Sequence, residues 1–471
     1  MNLNQTAMSS LHEECSQPKR PRRPKKLKKP EKMTDATTSF WDKLPSVVLT
    51  EIYSFLDHKD RRSASYVCKH WREQYFHPRF WTSVEFVIES DNLERVRFLS
   101  YMFGTMAVQA KIVIHSLNKD CLKEFVILFD HLARNNNLKS LILEPSYCYF
   151  VGWDRDDWKE VMNLLNPCLP KLSKFSIGCV EDLSFFLEGI LTNLNPSLIT
   201  DLGLATVKDD PTNYVRNNFD PRLLSPFPKL EVLSIDYDQL SDELLAILDS
   251  ATELRKLIVH LHAISEEHPG TTDEAWIKFR KKHPACQLSI TIIHAFRDID
   301  VLDQHVLRRH MPLTHLKVFF CEKVNIRVIE NLSNYAETLR SIVWVDSLTD
   351  EQSSWALVKP FYDDSPDPFV LAAWLCKRLE EIVLFGYKYW EENLIAIGRL
   401  RGGKLKRLDI AEPDIVKRPG QDLASALLDI PNSIDKPWKP VQVSELHPVI
   451  CNPVEGDSDE YLLPLVLADL H

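Results

Sequence analysis

Two pairs of histidines are the residues of this chain whose type and spacing come closest to a metal site. His260 and His262 lie on one face of a predicted strand end, and His305 and His310 are five residues apart. Zinc sites need further cysteine, histidine or carboxylate ligands at characteristic spacing. Neither pair has such a neighbour, so we interpret them as ordinary buried or solvated histidines and expect no metal.

The cysteines and glycines indicate no catalytic machinery either. The ten cysteines are scattered without a C-x-x-C pair, which favours reduced thiols of a cytosolic or nuclear protein over disulfides or zinc ligands. The twelve glycines form neither a G-x-x-x-x-G-K-[ST] phosphate loop nor a G-x-G-x-x-G turn, and no G-x-S-x-G nucleophile elbow occurs. We therefore expect a non-catalytic protein without a cofactor.

Positive charge is concentrated near the N-terminus. Residues 1–39 hold nine Lys/Arg against four Asp/Glu, a net charge of +5, so the rest of the chain carries −15 against a total of −10. This polar, proline-punctuated tail is predicted to be disordered. Its basic run is typical of a nuclear-localisation signal or a nucleic-acid-binding arm, with a merely solubilising tail as the alternative. The candidate signal residues are Lys19, Arg20, Arg22, Arg23, Lys25, Lys26, Lys28 and Lys29.

The acidic body argues against nucleic-acid binding by the folded part of the chain. No apolar run approaches the roughly 20 residues that span a bilayer, so we expect no membrane association.

Residues 40–81 predict a small helical module. Leu44-Pro45 opens a helix, because the missing N–H of proline costs nothing in the first turn, and Asp60 is a predicted N-cap of a second helix. Apolar residues recur at helical spacing in both helices, as Val48, Leu49, Ile52, Phe55 and Leu56, then as Ala64, Val67, Cys68, Trp71 and Tyr75. Some forty residues cannot bury all of these side chains alone, which indicates docking to a partner.

This module resembles an F-box. The family pattern of Leu-Pro, Leu, Ile, Phe-Leu, Asp, Val-Cys, Trp and Trp is matched by Leu44-Pro45, Leu49, Ile52, Phe55-Leu56, Asp60, Val67-Cys68, Trp71 and Trp81. F-boxes bind the Skp-family adaptor of SCF ubiquitin ligases. The resemblance implies that the adaptor-binding residues are Leu44, Pro45, Leu49, Ile52, Phe55, Leu56 and Trp71. The alternative is a helical hairpin whose apolar residues are all internal core. Residues 367–401 resemble the same family.

A repeated unit follows the module, in which apolar residues recur as apolar-x-x-apolar-x-apolar. It occurs at Leu138-Leu141-Leu143, Leu172-Phe175-Ile177, Ile199-Leu202-Leu204, Leu230-Leu233-Ile235, Leu254-Leu257-Val259, Ala285-Leu288-Ile290, Leu313-Leu316-Val318, Leu339-Ile342-Trp344, Leu379-Ile382-Leu384 and Leu405-Leu408-Ile410, with weaker copies from Trp81 and Gln109. Helical spacing between the units predicts one strand and one return helix each. Leucine-rich repeats are expected to carry Asn or Cys three residues after the last apolar position. Among these units only Cys321 fills that position, so other groups must satisfy the hydrogen bonds of the turns.

The fold class is therefore α/β, an N-terminal helical F-box followed by an irregular leucine-rich-repeat-like solenoid. Parallel strands line its concave face and helices its convex face. The predicted divisions are a basic tail at 1–39, the F-box at 40–86, the solenoid at 87–430 and a C-terminal tail at 431–471.

Residues between the repeated apolar positions should face the concave side of the sheet, because side chains alternate along a strand. In the later units these residues are apolar, and exposed apolar patches mark protein-binding sites. The substrate-binding candidates are Phe319, Val343, Val345, Val383 and Phe385. As the alternative, the chain covers them itself with the apolar segment 461–470. If they are open, Phe385→Asp should leave stability nearly intact.

The resemblance implies the substrate-recognition subunit of an SCF-type cullin–RING E3 ubiquitin ligase. Its partners would be the Skp-family adaptor, the cullin and a protein substrate that the sequence does not identify, and its location the nucleus, the cytoplasm or both. The alternative is a nuclear nucleic-acid-associated or adaptor-bound regulatory protein that acts through the basic tail.

Overall fold

The computed structural model describes residues 40–348, 367–417, 427–452 and 457–470. The chain divides into two compact units, of which the first ends at Phe76 and the second begins at His77. The predicted nuclear signal at 19–29 lies outside the described residues. Residues 77–86, which the sequence pattern groups with the F-box, belong to the second unit, where Ser83–Ile88 is the first strand of the sheet.

The first unit is a three-helix module. A 3₁₀ turn at Phe40–Lys43 precedes helices α1 (Ser46–Ser54), α2 (His58–Ala64) and α3 (Lys69–Tyr75). The prediction that Asp60 caps a single second helix is wrong. Asp57 caps α2 instead, since its side chain accepts a hydrogen bond from the amide of Asp60 at 2.7 Å. This helix ends at Ala64, and Cys68, whose backbone is extended, precedes the start of α3 at Lys69.

The second unit contains a twelve-stranded parallel sheet whose strand order follows the sequence. Its strands are β1 (Ser83–Ile88), β2 (Gln109–Ile114), β3 (Ser140–Pro145), β4 (Lys174–Ser176), β5 (Asp201–Gly203), β6 (Val232–Asp236), β7 (Lys256–Leu261), β8 (Gln287–Ile293), β9 (Leu313–Phe319), β10 (Ser341–Val345), β11 (Glu381–Phe385) and β12 (Arg407–Ile410). Each repeated unit of the sequence, including the two weaker copies, coincides with one strand, which confirms the solenoid. Tyr389–Trp390 and Ile415–Val416 form a separate short parallel pair.

Helices connect most of the successive strands and pack against one another. They are α4 (Leu93–Phe103), α5 (Lys119–Ala133), α6 (Arg155–Leu165), α7 (Leu187–Asn193), α8 (Asp242–Ile247), α9 (Asp273–Lys282), α10 (Leu302–His305), α11 (Ile326–Asn331), α12 (Pro368–Leu375) and α13 (Glu391–Arg401), with α14 (Asp429–Ile434), α15 (Pro448–Cys451) and α16 (Ser458–Leu467) after the last strand of the sheet. Short 3₁₀ segments replace or extend several of them. The repeated apolar positions, such as Leu316 and Ile342, are fully buried between sheet and helices.

Carboxylates replace the missing asparagines in the turns that follow several strands. Asp346 accepts hydrogen bonds from the amide of Glu322 at 2.6 Å and from the hydroxyl of Tyr387 at 2.8 Å. Asp414 accepts one from the amide of Gly386 at 2.8 Å, where the backbone turns left-handed with a φ of 82°. A buried amide without a partner would be costly. Each carboxylate therefore stabilises the turn of the preceding repeat.

Candidate functional site

Hydrogen bonds between its helices hold the first unit together. The hydroxyl of Tyr53 donates to the carbonyl of Trp71 at 2.8 Å, and the two rings lie 6.0 Å apart. The ring of His70 contacts the carbonyl of Leu44 at 2.8 Å, which fixes the start of the module against α3. Leu49 is fully buried beneath these contacts. The scaffold thus leaves a defined set of apolar side chains on the outside.

Those outside residues form what we call the docking surface. Its members are Trp41, Val47, Val48, Phe55, Tyr66 and Val67, all exposed. The exposed fraction reaches 81% at Phe55 and 80% at Val47. Apolar side chains that are this exposed and lie within one small module are typical of an interaction site.

The predicted adaptor-binding residues divide into three groups. Pro45 and Phe55 are exposed, Ile52, Leu56 and Trp71 are half-buried, and Leu44 and Leu49 are buried. Leu44 and Leu49 therefore support the surface from beneath and are not part of its exposed face. Trp41, Val47 and Tyr66 are missing from the predicted adaptor-binding residues. That prediction contains only positions of the family pattern, and helical spacing alone does not show which residues of α1 are exposed and which are buried.

The five substrate-binding candidates are neighbours on the concave face, which is the side of the sheet away from the helices. In the register of β9, β10 and β11, Val345 pairs with both Phe319 and Phe385, and Val343 pairs with Val383. We call these five residues the concave apolar cluster. They are not open to solvent, since the exposed fraction ranges from 0% at Phe319 to 7% at Val343. The expectation of an open face is therefore wrong, and the condition under which Phe385→Asp would spare stability is not met.

The chain itself covers this cluster. Val449 and Ile450 of α15 and Leu462, Leu463, Val466 and Leu467 of α16 belong to the same buried apolar group. The ring of Tyr461 lies edge-on to that of Phe319 at 6.2 Å. We call residues 457–470 the C-terminal cover. It includes the whole of the segment 461–470, which the sequence suggests as an alternative occupant of the face.

Polar contacts attach both ends of the C-terminal cover. At its start, Asp459 accepts a hydrogen bond from the amide of Cys148 at 2.7 Å, and Ser458 lies 2.9 Å from the ring of His294. Burial, aided by the charges of neighbouring aspartates, raises the pKa of Asp459 to about 6. At its end, the ammonium group of Lys317 lies 2.7 Å from the carboxylate of Asp469.

The histidines and cysteines form no reactive group within the described ranges. The rings of His260 and His262 both contact the carbonyl of Thr206, at 3.1 and 3.0 Å. Burial lowers the pKa of both rings, that of His262 to about 3, so they are neutral. Burial raises the pKa of the Cys168 thiol to about 11. In the part of the chain that the structure describes, no three His, Cys, Asp or Glu side chains gather as metal ligands, and no helix is long and apolar enough to cross a membrane.

Comparisons with known proteins include one family match and two relatives that align with most of the chain. The F-box-like family profile matches residues 41–86. F-box only protein 33 of Homo sapiens is 22% identical over 433 residues, which covers 79% of this chain and 77% of that protein. The Mus musculus protein of the same name is 21% identical over 439 residues, covering 79% of this chain and 76% of that protein.

Among solved structures, the crystal structure of the TLR13-ssRNA13 complex aligns with 69% of this chain at 11% identity and a TM-score of 0.30. The alignment covers 48% of that chain, about half its length. The fold assignment depends on the parallel sheet itself. The chain therefore carries an F-box-like domain followed by a leucine-rich-repeat-like solenoid, and it resembles F-box only protein 33 over most of its length.

Proposed function

We propose that this protein is the substrate-recognition subunit of an SCF-type cullin–RING E3 ubiquitin ligase. In this role the docking surface binds the Skp-family adaptor, through which the cullin is joined. The solenoid holds a protein substrate for ubiquitination and proteasomal degradation. The observation that carries the proposal is the exposed apolar surface, since it lies within the 41–86 match to the F-box-like profile.

In this proposal the protein contributes proximity rather than chemistry. Holding a substrate close to a separate conjugating enzyme raises their effective concentration. The buried, neutral histidines and the protonated Cys168 thiol are consistent with that role, because an activated nucleophile needs a lowered pKa or an adjacent base.

Co-purification with the Skp-family adaptor and the cullin tests the proposal, and Phe55→Asp is the informative variant. Phe55 is 81% exposed, so the change should leave the fold intact while it places a charge in the contact. Truncation of a buried interface anchor commonly costs about 2 kcal/mol or more, which is a loss of at least roughly 30-fold in affinity.

Ile277→Asp is the matched control, because Ile277 is an exposed apolar residue on α9 of the second unit. We expect the control to bind the adaptor like the parent. Equal adaptor binding by Phe55→Asp, or no binding by the parent chain, would contradict the assignment.

We also propose that the basic run at 19–29 directs the protein to the nucleus. Eight Lys/Arg within eleven residues support this, because such runs are typical of nuclear signals. Deleting residues 19–32 should shift a tagged protein toward the cytoplasm with an unchanged melting temperature. An unchanged distribution would indicate a solubilising tail. If the run binds nucleic acid instead, binding should fall steeply with salt and disappear in the deletion.

A further inference from the structure

The C-terminal cover occupies the concave face in the way that a bound peptide would. We propose that this face binds a helical segment of the protein substrate, apolar along one side and ending in an acidic residue, which takes the place of residues 457–470. The inference rests on the proposed function, since it names the class of segment that such a receptor would hold.

The apolar half of the site is the concave apolar cluster. Helix α16 places Leu462, Leu463, Val466 and Leu467 against it. Leu462 and Val466 are four positions apart, as are Leu463 and Leu467, and this is the spacing of one helical face. Anchors at such positions in an apolar groove are the usual means of recognising a helix. A substrate helix with large aliphatic residues at the same spacing would make the same contacts.

Two lysines form the polar half of the site. The ammonium group of Lys317 lies 2.7 and 2.8 Å from the two carboxylate oxygens of Asp469 and 3.3 Å from the carbonyl of Leu465. Lys256 donates to the carbonyl of Asp469. The side chains of Lys317 and Asp469 are only 12% and 14% exposed, so the pair is poorly screened by solvent. Cations are favoured at a helix C-terminus, and these lysines would therefore select an acidic residue just beyond the end of a helix.

The cover leaves polar atoms of the face without a partner, which favours its replacement. Within the described ranges, Nε2 of His260, Oγ of Ser289 and Oγ1 of Thr291 are buried and accept or donate no hydrogen bond. The register places Thr291 between Lys317 and His260 in one row across the sheet. Unsatisfied buried polar atoms are costly. A substrate segment that brings a hydroxyl or amide side chain to this row would satisfy them.

The concave face also continues past the end of the cover. Gly203 of β5 provides room for Leu470, whose Cδ1 lies 2.8 Å from the place where a Cβ on this glycine would be. Beyond it is a cavity of about 200 Å³, lined among others by Ile142, Lys174 and Arg255. A substrate segment longer than the cover can therefore extend toward the first strands of the sheet.

A fluorescent peptide of residues 457–471, added to the full-length chain, tests the inference. The wild-type protein should bind it weakly, because its own tethered cover competes at high effective concentration. Asp469→Lys should loosen the cover by placing a third cation beside Lys256 and Lys317, and this variant should bind the peptide at least 10-fold more tightly than wild type. The same peptide with lysine in place of Asp469 should bind the variant at least 10-fold more weakly.

Glu330→Lys is the matched control, since it makes the same charge change at an exposed position of α11 and should bind like wild type. Absence of peptide binding by a folded Asp469→Lys protein would overturn the inference. So would a concentration-dependent dimer, because the occupant would then be the cover of a second copy. If Asp469→Lys fails to fold, hydrogen exchange of the wild-type chain tests whether the cover opens more readily than the sheet. Amides 458–467 should exchange at least 10-fold faster than those of β9, and equal rates would contradict an exchangeable cover.

Adaptor co-purification on the same samples separates this inference from the proposed function. Peptide binding without adaptor binding would contradict only the ligase assignment. Adaptor binding without peptide binding would contradict only the helix-binding face.

Discussion

The two apolar surfaces of this protein differ in whether the chain itself covers them. The docking surface of the first unit leaves Phe55 81% exposed, whereas the concave apolar cluster of the solenoid leaves Phe385 only 5% exposed. Both sets are predicted from the same kind of pattern, namely apolar residues beyond those needed for the core of their own element. The comparison teaches that such a pattern indicates a cover without saying whether the cover is another protein or the chain itself.

The two surfaces also differ in the chain that follows them. In the described part of the chain, α3 is followed by the sheet, whose first strand begins at Ser83. After β12 a further 61 residues remain, of which α15 and α16 return across the concave face. Under the proposed function, the adaptor covers the small helical module, which has too few residues to bury all of its apolar side chains itself.

The largest expected effect comes from placing the same charge in each surface. Phe385→Asp should lower the free energy of unfolding by about 4 kcal/mol, because it removes a buried ring and leaves a carboxylate unpaired in an apolar site. Phe55→Asp should change it by less than about 0.5 kcal/mol. Denaturant unfolding of both variants measures the difference. Equal stabilities would show that the cover does not seal the concave face.

A second comparison distinguishes a residue that stabilises the first unit from a residue that is proposed to contact the adaptor. Leu44→Ala should destabilise the helical module by about 2–3 kcal/mol, because Leu44 is buried and its loss leaves a cavity. Pro45→Ala should cost less than about 1 kcal/mol, since Pro45 is exposed and the change acts mainly on the unfolded chain. Both should weaken adaptor binding. Unfolding curves beside adaptor titrations distinguish them, and a Pro45→Ala protein with parental affinity would remove Pro45 from the contact.

The repeated apolar unit is sufficient to predict the twelve strands, because one apolar period recurs in every repeat. It also predicts unusual turns, but not that Asp346 and Asp414 satisfy them, since each carboxylate lies one repeat away from the amide whose hydrogen bond it accepts. The concave apolar cluster was placed correctly in register, whereas its cover was only one of two alternatives. A contact between Lys317 and Asp469 spans 152 positions, and no local pattern in the sequence relates them.

The smallest expected effect concerns the pH dependence of the cover. Burial raises the pKa of Asp459 to about 6, above the value near 4 that an unfolded chain would give. The stability from its protonated form is therefore fully present below pH 4 and is lost as the pH rises through 6. By linkage the folded state should gain about 1 kcal/mol from this group between pH 7.5 and pH 5.

Other ionisable groups surround the start of the cover, so a variant must isolate Asp459. His294 has the opposite sign, because burial lowers its pKa to about 4 and acid therefore destabilises the fold through it. Asp209, Asp457 and Lys208 line the same pocket. Asp459→Asn removes the titrating carboxyl group, while the amide oxygen of the new side chain can still accept the hydrogen bond from the backbone amide of Cys148. The other ionisable groups are present in both proteins. Unfolding at both pH values should show that wild type gains about 1 kcal/mol more on acidification than the variant. Identical gains would mean that Asp459 is not buried at the start of the cover, and that the covered face is more open to water than its contacts with α16 indicate.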